Sequence, residues 1–279
     1  MRHLNIQFLS KKSIMLRREI LEMAVRAGAG HIAPSFSCVE ILTALFYGGG
    51  LKINPARPEW GCRDRFILSK GQAAVALYAV LADLGFFPNR LLSLFTRPGS
   101  FLGGHTDNLV PGVEAFTGSL GMGLSLSCGL ALGAKMGKKK FKTVALLGDG
   151  ECHEGSVWES ALFAAHHGLD NLLAVIDHNG LSATDCLVNS VRLEPLEKKW
   201  EAFGWHTQVV NGHSLSQLIE SLLLFRSGKI KKPFVVIAKT VKGKGVSFME
   251  NRPIWHYRVP AGKELLRARK ELRKLIKYD

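Results

Sequence analysis

Two polar turns carry the chemistry that this sequence shows most clearly. Asp149 follows the apolar run TVALL (143–147), and Asn179 follows the apolar run LLAVI (172–176). Residues 157–167 have the length and composition of a helix, so the segment is predicted to form a strand, a crossover helix and a strand. Because neighbouring parallel strands end at the same edge of a sheet, Asp149 and Asn179 are expected to meet there. Two hard oxygen donors at one edge favour a Mg²⁺ site.

The residues around Asp149 also favour a phosphate ligand. Gly150 has no side chain where a phosphate would approach, and the helix that follows presents backbone N–H groups at its amino terminus. A Gly-Asp-Gly run alone is often only a tight turn after a strand. The second polar turn, one crossover away, is what indicates a joint metal and diphosphate site.

Helices and strands alternate along the rest of the chain. Further strands are predicted at residues 65–68, 205–210 and 233–238, and long ordered loops at 98–120 and 239–255. This alternation favours an α/β fold in which a parallel sheet is covered by helices on both faces. The predicted helices are residues 13–28, 38–47, 73–84, 89–95, 121–136, 157–167, 195–203 and 214–226. One large domain is expected over residues 1–260, followed by a basic helix or tail at 261–279.

Composition excludes several classes of protein. Of the 279 residues, 47% are hydrophobic and 22% are charged, which is typical of a soluble globular protein. No apolar run approaches the roughly 20 residues of a membrane span, and residues 1–10 lack the apolar core of a signal peptide. We therefore expect a cytoplasmic protein with no membrane partner.

The formal net charge of +14 does not by itself select a ligand. The basic residues are scattered, and no nucleic-acid-binding module accompanies them, so a solvated basic surface and no nucleic-acid partner are expected. The five cysteines are odd in number and lack C-x-x-C spacing, which argues against a disulfide framework or a zinc site.

Six motifs then occur in one order along the chain. They are GHIAPS (30–35), SKGQ (69–72), GGHT (103–106), PGVEAFTGSLG (111–121), the two metal turns, and KTVKGKG (239–245) followed by Trp255 and His256. With these motifs the chain resembles the amino-terminal, thiamine-diphosphate-binding half of a transketolase over nearly its whole length. The resemblance implies a thiamine-diphosphate-binding fold. It also implies thiamine diphosphate and Mg²⁺ as cofactors, with Ca²⁺ or Mn²⁺ able to replace Mg²⁺.

The resemblance assigns residues to both ends of the diphosphate site. It implies that Asp149, Asn179 and the backbone carbonyl of Leu181 bind the metal ion. It also implies that Gly150, Asn179 and His256 contact the diphosphate. The two polar turns alone already indicate Asp149 and Asn179 as metal ligands.

Other cofactor-binding positions follow from the same resemblance. Gly118 and Leu120 match backbone contacts to the aminopyrimidine, with Ser119 between them, and Glu154 matches a glutamate at the subunit junction. His31, His105 and His256 match the histidines that line the substrate channel and are the predicted catalytic residues. An imidazole can donate or accept a proton beside a sugar hydroxyl near neutral pH. Surface or structural roles are expected for the remaining histidines: His153, His166, His167, His178, His206 and His213.

Two positions depart from the family pattern. Gln72 stands where members commonly have a histidine near the diphosphate, and Pro34 stands where small polar residues are frequent. Glutamine keeps a hydrogen-bond donor but cannot become cationic. Lys70 and Lys242 lie in basic turns that could neutralise phosphate charge, although a solvated lysine would explain either one.

The resemblance further implies a two-chain enzyme. Complete members carry a second thiamine-type domain and a carboxy-terminal domain, whereas this sequence ends at Asp279. We expect the amino-terminal subunit of a split transketolase that transfers a two-carbon ketol unit from a ketose or ketose phosphate to an aldose. Two copies of each subunit are expected in an α2β2 heterotetramer. An apolar stripe in the last predicted helix could dock on the partner or belong to a solvated helix; it comprises Leu265, Leu266, Leu272, Leu275 and Ile276.

Three alternatives remain open from the sequence. One is a non-catalytic or regulatory paralogue that binds cofactor or partner, for which Gln72 is the main argument. Another is a subunit of a 2-oxo acid dehydrogenase or decarboxylase, and the third is a nucleic-acid-binding protein. The three matched histidines favour ketose chemistry, but the donor and acceptor sugars are not identified.

Overall fold

A five-stranded parallel sheet is the centre of the molecule. The computed structural model describes residues 5–275. The strands are β1 Arg65–Leu68, β2 Thr143–Gly148, β3 Leu172–His178, β4 His206–Asn211 and β5 Phe234–Lys239, and they lie in the order β1-β2-β3-β5-β4. Every adjacent pair is parallel. The predicted parallel sheet is therefore confirmed, and no strand end differs from the predicted one by more than two residues.

Helices connect and cover the strands. Their bounds are α1 Ile6–Ala27, α2 Ile32–Ser37, α3 Val39–Phe46, α4 Ala74–Leu84, α5 Met122–Met136, α6 Gly155–His166, α7 Leu187–Ser190, α8 Leu196–Ala202, α9 Leu215–Arg226 and α10 Gly262–Leu275. Residues 98–120 contain neither helix nor strand, as the sequence predicted. The short helix α2 was not predicted, and α1 begins before residue 13 because Asn5 caps it by accepting a hydrogen bond from the backbone N–H of Phe8.

The alternating side chains of the central strands divide the core into two layers. Val144 and Leu146 of β2 pack with α1, α3, α4 and α9, whereas Ala145 and Leu147 pack with α5, α6 and α8. A strand that is buried on both faces has to be apolar almost throughout, and TVALL has that property. The predicted cover of helices on both faces is confirmed.

The basic helix α10 packs against α1. Ala268 and Leu272 of α10 are buried, and Arg269 forms a bidentate ion pair with Glu22, with N···O distances of 2.8 and 2.6 Å. Leu266, in contrast, is 65% exposed. Part of the predicted apolar stripe is therefore covered within this chain, and Ile276 lies outside the described residues, as do residues 1–4 of the segment in which no signal peptide was expected.

The lengths and apolar character of the helices also bear on membrane association. Within residues 5–275, no helix combines the length and apolar character needed to cross a lipid bilayer.

Candidate functional site

The sheet register brings the two polar turns together. Gly148 of β2 pairs with Asp177 of β3, so the turns that carry Asp149 and Asn179 leave the sheet at the same edge. Asp149 is 2% exposed. Its Oδ1 accepts a hydrogen bond from the backbone N–H of Gly150 at 2.8 Å, and its Oδ2 accepts one from Gly180 at 2.5 Å. The carboxylate of Asp149 therefore reaches the turn that carries Asn179.

A cavity of about 310 Å³ opens at this edge. The predicted cofactor and metal residues that line it are Gln72, Leu120, Asp149, Gly150, Asn179, Leu181, Lys242 and His256. The carboxylate of Asp149, the amide oxygen of Asn179 and the carbonyl of Leu181 are hard oxygen donors of the kind that Mg²⁺ binds. The chemistry of these residues therefore fits the expected metal ion.

Lys242 is a buried cation beside this cavity. Its Nζ donates to the carbonyl oxygen of Ser182 at 2.5 Å and to Nδ1 of His256 at 2.9 Å. Within residues 5–275, it takes part in none of the ion pairs. Burial, and then the charge of Lys70, lower the pKa of Lys242 to about 8. Since a buried cation without a counter-ion is costly, Lys242 favours an anionic ligand.

The three predicted catalytic histidines lie together. The ring of His31 is 5.7 Å from that of His105 and 5.2 Å from that of His256, centroid to centroid. Burial, reinforced by neighbouring positive charge, lowers the pKa of His31 to about 4 and that of His256 to about 3. Both rings are thus neutral near pH 7. Because Nδ1 of His256 accepts from Lys242, its proton is on Nε2.

The loops that hold His105 are fixed by close packing. The hydroxyl of Tyr78 donates to the carbonyl oxygen of His105 at 2.7 Å. Gly118 has a φ of +144°, and a Cβ there would lie only 2.9 Å from Cδ2 of His105. Glycine is therefore required at 118 both by backbone conformation and by contact with the histidine ring.

The two departures from the family pattern lie on the cavity wall. Nε2 of Gln72 donates to the carbonyl oxygen of Gly118 at 3.3 Å, so glutamine bridges the diphosphate side and the aminopyrimidine side of the predicted site. The carbonyl oxygen of Pro34 accepts from Lys70 at 2.9 Å and from Ser37 at 2.9 Å. At Pro34 the backbone, rather than a polar side chain, makes the hydrogen bonds.

Lys70 has a structural counter-ion. Its Nζ donates to the carboxylate of Asp177, which is fully buried and also accepts from Ser37 and Thr240. Although burial lowers the pKa of Lys70, the charge of Asp177 outweighs this effect and raises it. Lys70 lines the cavity, but its charge is balanced by the buried carboxylate of Asp177.

Glu151 is a site residue that reasoning from the sequence missed. Its carboxyl group accepts hydrogen bonds from the Ser69 hydroxyl, the Gly121 N–H at 2.9 Å and the Gly148 N–H at 3.1 Å. It thereby joins the turns that follow β1 and β2 to the start of α5. Burial raises its pKa. The only signal in the sequence was a second carboxylate beside Asp149, which a solvated turn would also explain.

His178 is the second residue whose place in the site was missed. Its Nδ1 lies 3.1 Å from Oδ2 of Asp149, and its Nε2 lies 2.7 Å from Oε1 of Glu194. The hydrogen bond with Asp149 raises the pKa of His178 despite partial burial. Of the surface and structural roles expected for this histidine, the structure supports the structural one, and the contact is with a predicted metal ligand.

Three predicted cofactor residues lie outside the cavity: Gly118, Ser119 and Glu154. Ser119 and Glu154 are exposed. A Cβ at Gly121 would lie 2.6 Å from Cβ of Glu154, so Glu154 packs beside the loop that carries Gly118 and Leu120. The assignment of Glu154 to a subunit junction stays a prediction.

Comparison with known proteins gives the family. Residues 11–272 match the family described as "Transketolase, thiamine diphosphate binding domain". The chain belongs to this family. The resemblance drawn from the six motifs is thereby confirmed, as is the thiamine-diphosphate-binding fold.

Two similar curated proteins are named as transketolase subunits. An apulose-4-phosphate transketolase subunit of Phocaeicola vulgatus is 38% identical over 98% of this chain and 96% of that protein. The 6-deoxy-6-sulfo-D-fructose transketolase subunit SqwG of a Clostridium species is 39% identical over 89% of this chain and 90% of that protein. Transketolase activity as one subunit of a two-chain enzyme, predicted from the sequence, agrees with these relatives.

A solved transketolase has the same fold. The crystal structure from Campylobacter jejuni superimposes with a TM-score of 0.89 at 31% identity, covering 96% of this chain but 43% of that one. The chain thus spans less than half of that transketolase.

Proposed function

We propose that this chain is the amino-terminal subunit of a two-chain transketolase and holds Mg²⁺ and the diphosphate end of thiamine diphosphate. The observation that carries the proposal is the composition of one cavity wall. Asp149 and Asn179 supply oxygen donors for a cation, while the buried Lys242, which forms no ion pair with any of the described residues 5–275, supplies a positive charge for an anion. A metal diphosphate meets both requirements at once.

The residues have separate tasks in this proposal. Asp149, Asn179 and the carbonyl of Leu181 bind the metal ion, and Gly150, Lys242 and His256 face the diphosphate. When bound, thiamine diphosphate supplies the carbon nucleophile that attacks the ketose carbonyl, so that the bond between the second and third carbons can break. His31, His105 and His256 hold or move protons at the sugar hydroxyls. Because His31 is neutral near pH 7, it can donate or accept a hydrogen bond there. His256 is also neutral, and with Nδ1 accepting from Lys242 it can donate through Nε2.

Gln72 fits a cofactor-binding role. It contacts the carbonyl oxygen of Gly118, which stands at a family position for the aminopyrimidine. Its side chain keeps the cavity wall closed without adding charge. This arrangement, together with the intact histidine set, supports a catalytic subunit rather than a paralogue that has lost turnover.

The partner and substrates follow from the similar subunits. We infer a separate carboxy-terminal transketolase subunit, two copies of each chain, and an anionic sugar as substrate, since the two relatives are named for a phosphorylated and a sulfonated sugar. A net charge of +14 favours anionic sugars, although salt screens the effect. The cytoplasmic location expected from the sequence stays a prediction.

Reconstitution tests the proposal. The chain is co-expressed with a separate carboxy-terminal transketolase subunit, and two-carbon transfer between sugar phosphates is measured with thiamine diphosphate and Mg²⁺. Asp149→Asn should abolish transfer. Asp170→Asn, which alters an exposed ion pair with Lys135, is the matched control and should behave like the wild type.

Assays that lack one component test the separate parts of the proposal. Removal of the partner, of thiamine diphosphate or of the divalent ion should each abolish transfer. Full activity of the chain alone would refute the two-chain proposal. An assembly that binds thiamine diphosphate but transfers nothing with any ketose would support the non-catalytic alternative instead.

A further inference from the structure

His178 is held between two carboxylates at the end of β3. Its Nδ1 faces Oδ2 of Asp149 at 3.1 Å, and its Nε2 faces Oε1 of Glu194 at 2.7 Å. Oε2 of Glu194 in turn accepts the backbone N–H of Leu196 at 2.9 Å, which fixes the second carboxylate at the start of α8. The imidazole ring is therefore restrained through both of its nitrogens.

The hydrogen bonds of Asp149 determine which of its oxygens remains available. A carboxylate has two acceptor positions on each oxygen. Oδ2 uses both, one for His178 and one for the backbone N–H of Gly180 at 2.5 Å. Oδ1 uses one, for the backbone N–H of Gly150 at 2.8 Å. One acceptor position, on Oδ1, is left for a metal ion.

We propose that His178 is a positioning residue that confines Asp149 to a single metal-binding oxygen. The inference rests on the proposed metal site. A carboxylate that binds through one oxygen suits Mg²⁺, which demands near-ideal octahedral geometry. Ca²⁺ accepts bidentate carboxylates and higher coordination numbers. By occupying Oδ2, His178 favours Mg²⁺ over Ca²⁺ as well as fixing the orientation of Asp149.

Three variants separate this role from simple packing. His178→Ala removes both contacts. His178→Asn retains an N–H donor close to the place of Nδ1 but loses the contact with Glu194. His153→Gln is the matched control, because Nε2 of His153 lies 2.8 Å from the carbonyl oxygen of Val191 and, within residues 5–275, its side chain forms no hydrogen bond with a predicted metal ligand.

The measurement is the binding of Mg²⁺ and of Ca²⁺, each titrated into the two-chain assembly with thiamine diphosphate and followed by protein fluorescence and calorimetry. His178→Ala should weaken Mg²⁺ binding about 10- to 100-fold, the usual effect of losing a residue that orients a metal ligand. Ca²⁺ binding should weaken less, so the ratio of the two affinities shifts towards Ca²⁺. His178→Asn should recover most of the Mg²⁺ affinity, and His153→Gln should match the wild type.

Two results would overturn the inference in different ways. If His178→Ala lowers the melting temperature but leaves both metal affinities and their ratio unchanged, His178 serves packing alone. If the wild-type assembly binds neither ion, the metal site itself is rejected, and the role of His178 with it. Catalytic activity is not needed to distinguish these results.

Discussion

Nζ of Lys242 donates a hydrogen bond to Nδ1 of His256 at 2.9 Å, so the same lysine that faces the cavity also sets the tautomer of a predicted catalytic histidine. The contact requires a neutral imidazole, which the low pKa of His256 provides. Lys242 thus links the charge of the proposed diphosphate site to the hydrogen-bonding of the proposed substrate channel.

Removal of the Lys242 charge should weaken cofactor binding. Lys242→Gln is expected to lower the affinity of the assembly for thiamine diphosphate about 10- to 100-fold, as for loss of a hydrogen bond to a charged group. The pKa of Lys242 is lowered to about 8, so the lysine is charged below that pH. Wild-type affinity should therefore fall as the pH rises above about 8.

The pH profile identifies the lysine as the cause. Titrations of thiamine diphosphate between about pH 6.5 and pH 9.5 should show this decline in the wild type and a flat profile in Lys242→Gln. Lys244→Gln is a matched control in the same loop, because Lys244 is more exposed and pairs with Glu250. A decline of equal size in wild type and Lys242→Gln would assign the titration to another group.

Gln72 should make cofactor affinity less dependent on pH near neutrality. A histidine at this position can gain a proton between about pH 5 and 8, whereas glutamine cannot. The variant Gln72→His is expected to bind thiamine diphosphate more tightly at pH 6 than at pH 8, measured as a ratio of dissociation constants. A wild-type ratio larger than that of the variant would contradict this expectation.

The sequence predicted the backbone of the site better than its side-chain contacts. Asp149 and Asn179 were placed correctly because each follows an apolar run whose strand pairing fixes where it ends. His178 directly precedes Asn179 and contacts Asp149 in the fold, yet an isolated histidine in the sequence gives no sign of its partners. Its contact with Glu194 depends on how the segment after β3 returns to the sheet.

The sequence also did not show which of the two site lysines has a counter-ion. Lys70 and Lys242 occur in similar basic turns, but Lys70 is neutralised by Asp177 and Lys242 has no such partner among residues 5–275. The difference arises because Asp177, the penultimate residue of β3, contacts Lys70 in the turn after β1. The three-dimensional packing therefore determines which lysine pairs with the carboxylate of Asp177.

A buried ion pair supports the loop that carries Lys242. Arg17 of α1 forms a bidentate pair with Glu40 of α3 and donates to the carbonyl oxygen of Lys244 at 3.0 Å. His213 lies 2.8 Å from Glu40 and accepts the backbone N–H of Val241. Glu40→Gln should cost about 3–5 kcal/mol of unfolding free energy, because Arg17 is left buried without its counter-ion.

The acid stability of the protein should depend on the same carboxylate. Burial would raise the pKa of Glu40, but Arg17 and His213 outweigh it and lower the pKa to about 2. Since the unfolded value is about 4.3, this stabilisation is fully present above that pH and is lost as the pH falls towards 2. Denaturant unfolding of Glu40→Gln should show a weaker loss between these pH values than the wild type. Glu201→Gln, which breaks an exposed pair with Lys198, should change stability by less than about 0.5 kcal/mol.

Gly118→Ala should displace His105. The φ of +144° disfavours any side chain, and the added Cβ would lie 2.9 Å from the histidine ring, so either the loop or the ring has to move. We expect a loss of about 1–3 kcal/mol in stability from backbone strain, together with a larger loss of kcat than the drop in folded protein explains. Gly61→Ala is the control, since a Cβ there meets nothing within 4 Å and its φ lies outside the left-handed range. The check combines denaturant unfolding with ketol-transfer assays on the two-chain assembly. Wild-type kcat in a destabilised Gly118→Ala variant would show that the position of His105 does not limit the reaction.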